Sequence, residues 1–368
     1  MKKKNNILFL LHIPPAVHGV SIVGKQIKDS KIINNSFEAR YINLLVSRSI
    51  DETGKTKALK LFRFITSWFK LLIELIKEKP NLCYFALSNT GTAFYKDVSL
   101  VFLLKLFNVK TVFHIHSKGI QKNESNRLYY FLYKYVFKES SVIILSKYLY
   151  DDVKTFVSME QVYICPNGVE DIIEKSRMEL EKNNDPIKIL FLSNLIMSKG
   201  VFILVEACEI LKSKKYEFIC DFVGGEGDVS SYQFEEQVEK RGLGEFVKYH
   251  GKKYDEDKNL IYKNANIFVL PTNNDCFPLV LLEAMQYALP VISTNEGGVP
   301  DIVENNVSGF MVEKNNPNDL ADKIDSLIKN ESLRIQMGKA GRKKYENEFT
   351  LQTFETKLKE ILQHLLLN

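Results

Sequence analysis

The sequence predicts an α/β protein made of two doubly wound, Rossmann-like domains facing across a cleft. Three observations lead there. The chain has 368 residues, room for two domains of ordinary size. Short apolar runs of strand length alternate with longer amphipathic runs, the pattern of parallel sheets with crossover helices. The alternation halts once, at the turn Pro166-Asn167-Gly168 and the polar stretch Glu170 to Asp185, and then resumes. A hydrophobic content of 45% beside 26% charged residues suits two buried cores and excludes a disordered chain.

In the first half, strands are expected at Asn6–Leu11, Glu38–Asn43, Leu82–Ala86, Thr111–His116, Ser141–Leu145 and Gln161–Cys165. Helices are expected at Val20–Lys28, Lys55–Glu78, Thr92–Phe107, Glu124–Phe137 and Lys147–Phe156. The start, Met1-Lys2-Lys3-Lys4 followed by Ile7 to Leu11, briefly resembles a signal peptide. His12, Pro14 and Pro15 end the apolar run too soon, so a first strand is the better reading. In the second half, strands are expected at Lys188–Ser193, Glu217–Val223, Val247–His250, Ile267–Leu270, Pro290–Thr294 and Gly309–Val312. The helices between and after them are Val201–Lys212, Gln233–Arg241, Lys258–Lys263, Leu279–Tyr287, Val299–Val303, Pro317–Lys329 and Glu331–Glu348. The domain boundaries follow as 1–168, 169–345, and a C-terminal helix 346–368 packing back toward the first domain.

Five cysteines show no paired or metal-ligand spacing, which reads as reduced, buried thiols in a cytoplasmic protein. No stretch reaches the ~18 uninterrupted apolar residues of a spanning helix. The net charge of +5 is uneven: residues 1–170 hold 25 Lys+Arg against 13 Asp+Glu, and residues 171–368 hold 25 against 32. A first half at +12 draws anionic headgroups or a pyrophosphate-linked acceptor. The segment Lys55 to Lys79 combines basic residues with Trp68, Phe64, Phe69 and Ile76, the composition of a helix lying in a membrane interface. The same composition also serves a helix packed on the sheet. Nothing points to nucleic acid.

The densest chemistry lies in Asp275 to Val291, DCFPLVLLEAMQYALPV. Pro278 suits the first turn of a helix, where its missing N–H costs nothing. Amides near Leu279 and Val280 then point outward as free donors at the positive end of the helix dipole, a site for phosphate. Glu283 lies one turn deeper, placed to accept hydrogen bonds from the sugar hydroxyls of a bound nucleotide. Asp275, in the loop before the helix, faces a second sugar.

These residues also carry a resemblance. Asp275-Cys276-Phe277-Pro278-Leu279-Val280-Leu281-Leu282-Glu283-Ala284-Met285 resembles the signature of the retaining glycosyltransferases of family 4, which have the GT-B fold: two acids separated by seven residues. Pro166-Asn167-Gly168-Val169, Ser193-Asn194 with Ser198-Lys199-Gly200, Val223-Gly224-Gly225-Glu226-Gly227, Val247 to Gly251, and Asn295 to Val303 agree with that family in order and spacing. The first half agrees less: Pro15 to Val20 (PAVHGV) and the strand end with His114 and His116.

The resemblance implies sugar transfer from a nucleotide sugar, with retention and without an obligatory metal or other cofactor, UDP being favoured over GDP. It assigns catalytic roles to His116, Lys199 and Asp275. Donor binding falls to Gly19, Ser193, Asn194, Lys199, Gly225, Gly251, Lys252, Asp275, Phe277, Pro278, Leu279, Val280 and Glu283. The acceptor is expected to be a glycan on a polyprenyl carrier for a bacterial surface polymer, and the enzyme to work at the inner face of the membrane. Two positions depart from the pattern, Asn194 for Arg and Asp275 for Glu; the first removes a fixed positive charge from the diphosphate site. Two alternatives stand beside transfer: a nucleotide-sugar epimerase of the same fold, and a non-catalytic nucleotide-sugar-binding protein. His114 and His116, two apart on one strand, share a face, but no third zinc ligand accompanies them.

Overall fold

The computed structural model describes residues 4–15, 19–44, 57–173 and 186–367, with side chains from residue 63 in the third segment. Ala16–His18 of the PAVHGV segment and the start of the basic stretch, Lys55 included, lie outside the described residues. The chain divides into two compact units, residues 1–168 with 351–368, and residues 169–350.

The first unit is a six-stranded parallel sheet of β1 (Asn6–Leu11), β2 (Glu38–Asn43), β3 (Leu82–Leu87), β4 (Thr111–Ile115), β5 (Ser141–Ile144) and β6 (Val162–Ile164), in the order β2-β1-β3-β4-β5-β6. Every residue of β1, β3 and β4 is buried, as a parallel sheet covered on both faces requires. Helices α1 (Gly19–Asp29), α2 (Lys31–Ser36), α3 (Lys57–Lys77), α4 (Gly91–Leu106), α5 (Ile120–Asn123) and α6 (Arg127–Phe137) connect the strands. Right-handed crossovers place α3, α4 and α6 in one layer on one face, α3 touching α4 and α4 touching α6.

Two expected helices differ and one helix stands where none is expected, each through a local cap. The helix expected over Glu124–Phe137 starts only at Arg127, because Asn126 caps α6 by accepting from the amides of Leu128 and Tyr129. The preceding turn is held by Asp152, whose carboxylate accepts from the amides of Gly119, Ile120 and Gln121. The helix expected over Lys147–Phe156 is a 3-10 turn, Lys147–Asp152, started by Ser146. The unanticipated α2 is capped by Ser30, whose hydroxyl accepts from Ile33 N at 3.1 Å.

The second unit has parallel strands β7 (Ile187–Leu192), β8 (Phe218–Val223), β9 (Val247–Tyr249), β10 (Ile267–Leu270), β11 (Val291–Thr294) and β12 (Gly309–Val312), in the order β12-β11-β10-β7-β8-β9. Its helices are α7 (Val201–Ser213), α8 (Ser231–Lys240), α9 (Asp255–Asn264), α10 (Leu279–Gln286), α11 (Val299–Ile302), α12 (Pro317–Lys329) and α13 (Glu331–Glu348). The strand order reverses between β7 and β10, and ligands of doubly wound sheets bind beyond the strand ends at that switch point.

The last helix, α14 (Leu351–Leu367), groups with the first unit, where it packs on α2 and its Leu365 carbonyl accepts from Lys110 Nζ at 2.6 Å. It begins at Leu351 rather than at 346, because α13 continues to Glu348. Arg342 anchors the end of α13. Its buried guanidinium holds Asp171 and Glu346 at 2.5 and 2.9 Å and donates to the Gln286 carbonyl at 3.2 Å. The final turn therefore belongs to the second core.

Candidate active site

The loops after β7 and β10 meet at the switch point because a glycine lets them. Gly200 has φ +81°, and a Cβ there would stand 2.2 Å from the Pro271 carbonyl oxygen. The approach brings Lys199 to Asp275, Nζ to Oδ2 at 2.5 Å, with both side chains only partly exposed. Asp275 Oδ1 accepts from the Cys276 amide at 3.0 Å, so the carboxylate is fixed from two sides. The loop after β11 closes on this corner: Gly297 has φ +52°, a Cβ on it would lie 2.3 Å from the Asp275 carbonyl oxygen, and Gly298 N donates to Cys276 O at 2.7 Å.

Helix α10 starts at this corner. Pro278 stands at its N-cap rather than in its first turn, and makes no side-chain cap. The amides of Leu279 and Val280 are first-turn donors, which have no acceptor inside a helix. Phe277 is buried edge-on to Phe349, ring centroids 6.0 Å apart, which fixes the entry of the chain.

Glu283 sits four residues beyond Leu279, about 6 Å along the helix axis. Its Oε1 accepts from Lys258 Nζ at 2.8 Å and its Oε2 from Tyr262 OH at 2.9 Å. Tyr262 is buried and stacked on Tyr287 at 5.3 Å. Burial and the Glu283 charge raise its phenol well above the ordinary value, so it stays a hydrogen-bond donor. Sequence reasoning missed Lys258 and Tyr262. Their i,i+4 spacing inside an expected helix was the available signal, since it puts both on one face.

A second cluster joins the loops after β7, β8 and β9. Asn194 Oδ1 accepts from Gly225 N at 2.9 Å, and Leu195 N donates to Gly225 O at 2.7 Å. Asn194 thus spends its carbonyl oxygen on the neighbouring loop. Ser193 N donates to Val223 O at 3.0 Å, and Gly224 N to Gly251 O at 2.9 Å. Lys252 lies across Gly225: a Cβ on that glycine would meet Lys252 Cε at 2.2 Å. Gly251 takes φ +64° with open space above it.

The other expected site residues belong to the first unit. His114 and His116 do share a face, with ring centroids 4.0 Å apart. His114 is fully buried, and its Nδ1 meets Tyr84 OH at 2.5 Å. Burial drives its pKa well below the ordinary value, and the neighbouring His116 adds to this. His116 is lowered to about 3, by burial first and by His12 second, so its imidazole is neutral near pH 7. Gly19 opens α1 with nothing within 4 Å of an added Cβ. The tightly packed glycine of that helix is Gly24, whose Cβ would lie 2.0 Å from the His12 carbonyl oxygen.

The second unit thus unites two opposed charges, an open helix N-terminus and a braced carboxylate at the switch point of a doubly wound sheet. Residues 172–344 match the family model described as Glycosyl transferases group 1, which points to the class of the glycosyltransferases. Among its relatives, the chain is 28% identical over 315 residues to the capsular polysaccharide biosynthesis glycosyltransferase CapM of Staphylococcus aureus, covering 79% of each chain. Two solved structures are similar along nearly the whole length. HepE of Anabaena, solved in complex with UDP, matches with a TM-score of 0.74 at 16% identity, covering 98% of this chain and 100% of that one. Sucrose-phosphate synthase of Thermosynechococcus elongatus gives 0.76 at 19% identity, covering 98% and 99%. The architecture is the GT-B fold.

Proposed function

We propose that this chain moves a hexosyl group from a nucleoside diphosphate sugar to a glycan, with retention at the anomeric carbon. The observation that carries the reading is the Lys199–Asp275 pair beside the open N-terminus of α10, with Glu283 one turn further on. Transfer breaks the bond between the anomeric carbon and the phosphate oxygen, and negative charge gathers on the leaving diphosphate. Fixed donors aimed at that charge lower the barrier. Lys199 Nζ and the amides of Leu279 and Val280 are such donors. They supply the positive charge that a divalent ion would otherwise bring, so the reading needs no metal.

Lys199 turning toward the diphosphate frees Asp275 to accept from hydroxyls of the transferred sugar. Glu283 keeps unused lone pairs for the ribose hydroxyls, since Lys258 and Tyr262 each occupy one site on a different oxygen. Gly225, Gly251 and Lys252 edge the base, with Ser193 and Asn194 holding the loop. In this reading the neutral His116 acts on the transferred sugar and Gly19 borders the phosphate or acceptor. The proton of the acceptor hydroxyl leaves with the departing phosphate.

UDP is the favoured nucleotide, supported by the UDP bound to HepE. The capsular polysaccharide role of CapM supports a surface-polymer acceptor. We place that acceptor on a lipid carrier, with the enzyme peripheral at the inner face of the membrane. Incubation with radiolabelled UDP-sugars and a lipid-linked glycan extract tests the proposal. Label passing into the glycan with the donor's anomeric configuration is the expected result. A changed sugar without transfer, or binding without turnover, contradicts it.

A further inference from the structure

We propose that the outer surface of the α3–α4–α6 layer is a docking face for an anionic lipid bilayer. The inference deepens the reading of a membrane-held acceptor and rests on it for its purpose, while the binding itself is measurable without acceptor. Helices in one layer over a sheet share one outward surface, so the solvent-facing stripes of all three form a single patch. Those stripes are apolar where they should be polar. On α3, Phe69, Ile73 and Ile76 recur at helical spacing on the exposed side. On α4, whose sequence is apolar around most of its circumference, Phe102 is 54% and Leu106 63% exposed. On α6, Phe131 is 62% exposed, with Tyr135 one turn further on.

The charges along these helices are mainly positive. Lys70 and Lys77 flank the α3 stripe, and Arg127 and Lys134 the α6 stripe. Lys105 of α4 reaches over the Tyr135 ring at 5.3 Å and donates to the Lys138 carbonyl, joining the two helices. Among the described residues these three helices carry two carboxylates. Glu74 is bound to Arg40 at 2.8 Å, and Asp97 is buried and accepts from Ser88 N. Just past the ends of α3 and α6, Glu78 is exposed and Glu139 pairs with Lys138 at 3.6 Å, so the face is basic on balance. Phe and Tyr beside Lys and Arg is the composition of an interfacial surface, with rings entering the headgroup region and ammonium groups meeting phosphate. A second copy is the poorer occupant: a twofold pairing would set lysine rows against each other. No helix among the described residues is long and apolar enough to cross a membrane, so the face lies on the bilayer rather than in it.

Sedimentation of the full-length chain with vesicles tests this. Vesicles of phosphatidylcholine with phosphatidylglycerol should carry the protein down, phosphatidylcholine alone much less, and binding should weaken as salt rises. The double variant Phe102→Ser with Phe131→Ser should partition at least about tenfold less, and Lys134→Glu about fivefold less. Tyr232→Ser, an exposed tyrosine on α8, should change nothing. All variants should keep the UDP-induced rise in melting temperature, which separates failure of this face from failure of the donor site. Absent binding to anionic vesicles, or equal binding by every variant, overturns the proposal. So does a concentration-dependent dimer that the double variant abolishes, which would give the face to a second copy.

Discussion

The two units share one architecture and divide the chemistry between them. Each is a six-stranded parallel sheet with one reversal of strand order. In the second unit the loops at that reversal hold Lys199 with Asp275 and Gly200 against Pro271, and Lys258 of α9 pairs with Glu283 of α10. In the first, the carboxyl end of β4, one strand beyond the reversal, carries uncharged histidines, and the distinctive surface is a helix layer of exposed rings and lysines. The sheet fixes where loops end, and the side chains on those loops decide what the unit can bind. One scaffold thus presents a fixed-charge corner suited to a diphosphate and a broad basic face suited to a diffuse anionic surface.

The contrast can be broken most sharply at Lys199. Replacing it with Ala removes the charge proposed to meet the leaving group, and turnover should fall about 100- to 1,000-fold. Steady-state transfer assays check this, with a melting curve expected to move little; full turnover would remove Lys199 from the chemistry. Next is Glu283→Ala, which leaves Lys258 and Tyr262 without their carboxylate and the ribose without its acceptor. UDP affinity should fall on the order of 100-fold, read by calorimetric titration. An unchanged affinity would mean that the pentose is held elsewhere. Asn194→Ala deletes one hydrogen bond between loops, about 1 kcal/mol, and should weaken UDP binding roughly fivefold.

The smallest effect separates the units by pH. Folded His116 stays neutral down to about pH 3, whereas the unfolded chain takes up that proton near 6.5. Stability therefore falls as pH drops from 6.5 toward 3, because the unfolded state binds more protons in that window. His116→Asn should flatten the slope of melting temperature against pH there without removing it, since His114 is shifted the same way. An unaltered slope would show that His116 is not enclosed as described.

Legibility in the sequence followed how local the deciding interaction is. The strands could be read because buried parallel strands are continuous apolar runs of limited length, as in Ile7 to Leu11. Lys199, Asp275 and Glu283 could be named from short segments with fixed spacing. Their partners could not. The link between Lys258 and Glu283 spans 25 positions, and no local pattern announces it. Asn194 was read as a weakened phosphate ligand, while its contact with Gly225 depends on how two loops meet. What anchors α13 is invisible for the same reason, since Arg342 is held by Asp171, far back in the chain. The basic, aromatic character of the first half was visible in composition. Its spread over three helices required the sheet order.

The central claim is that a diphosphate rests on the first-turn amides of α10 beside Lys199. A crystal structure of the chain grown with UDP measures it directly. The account predicts phosphate oxygens within hydrogen-bond distance of the Leu279 or Val280 amide and of Lys199 Nζ, with the ribose hydroxyls on Glu283. Nucleotide bound elsewhere, with the Lys199–Asp275 pair still closed, would contradict it.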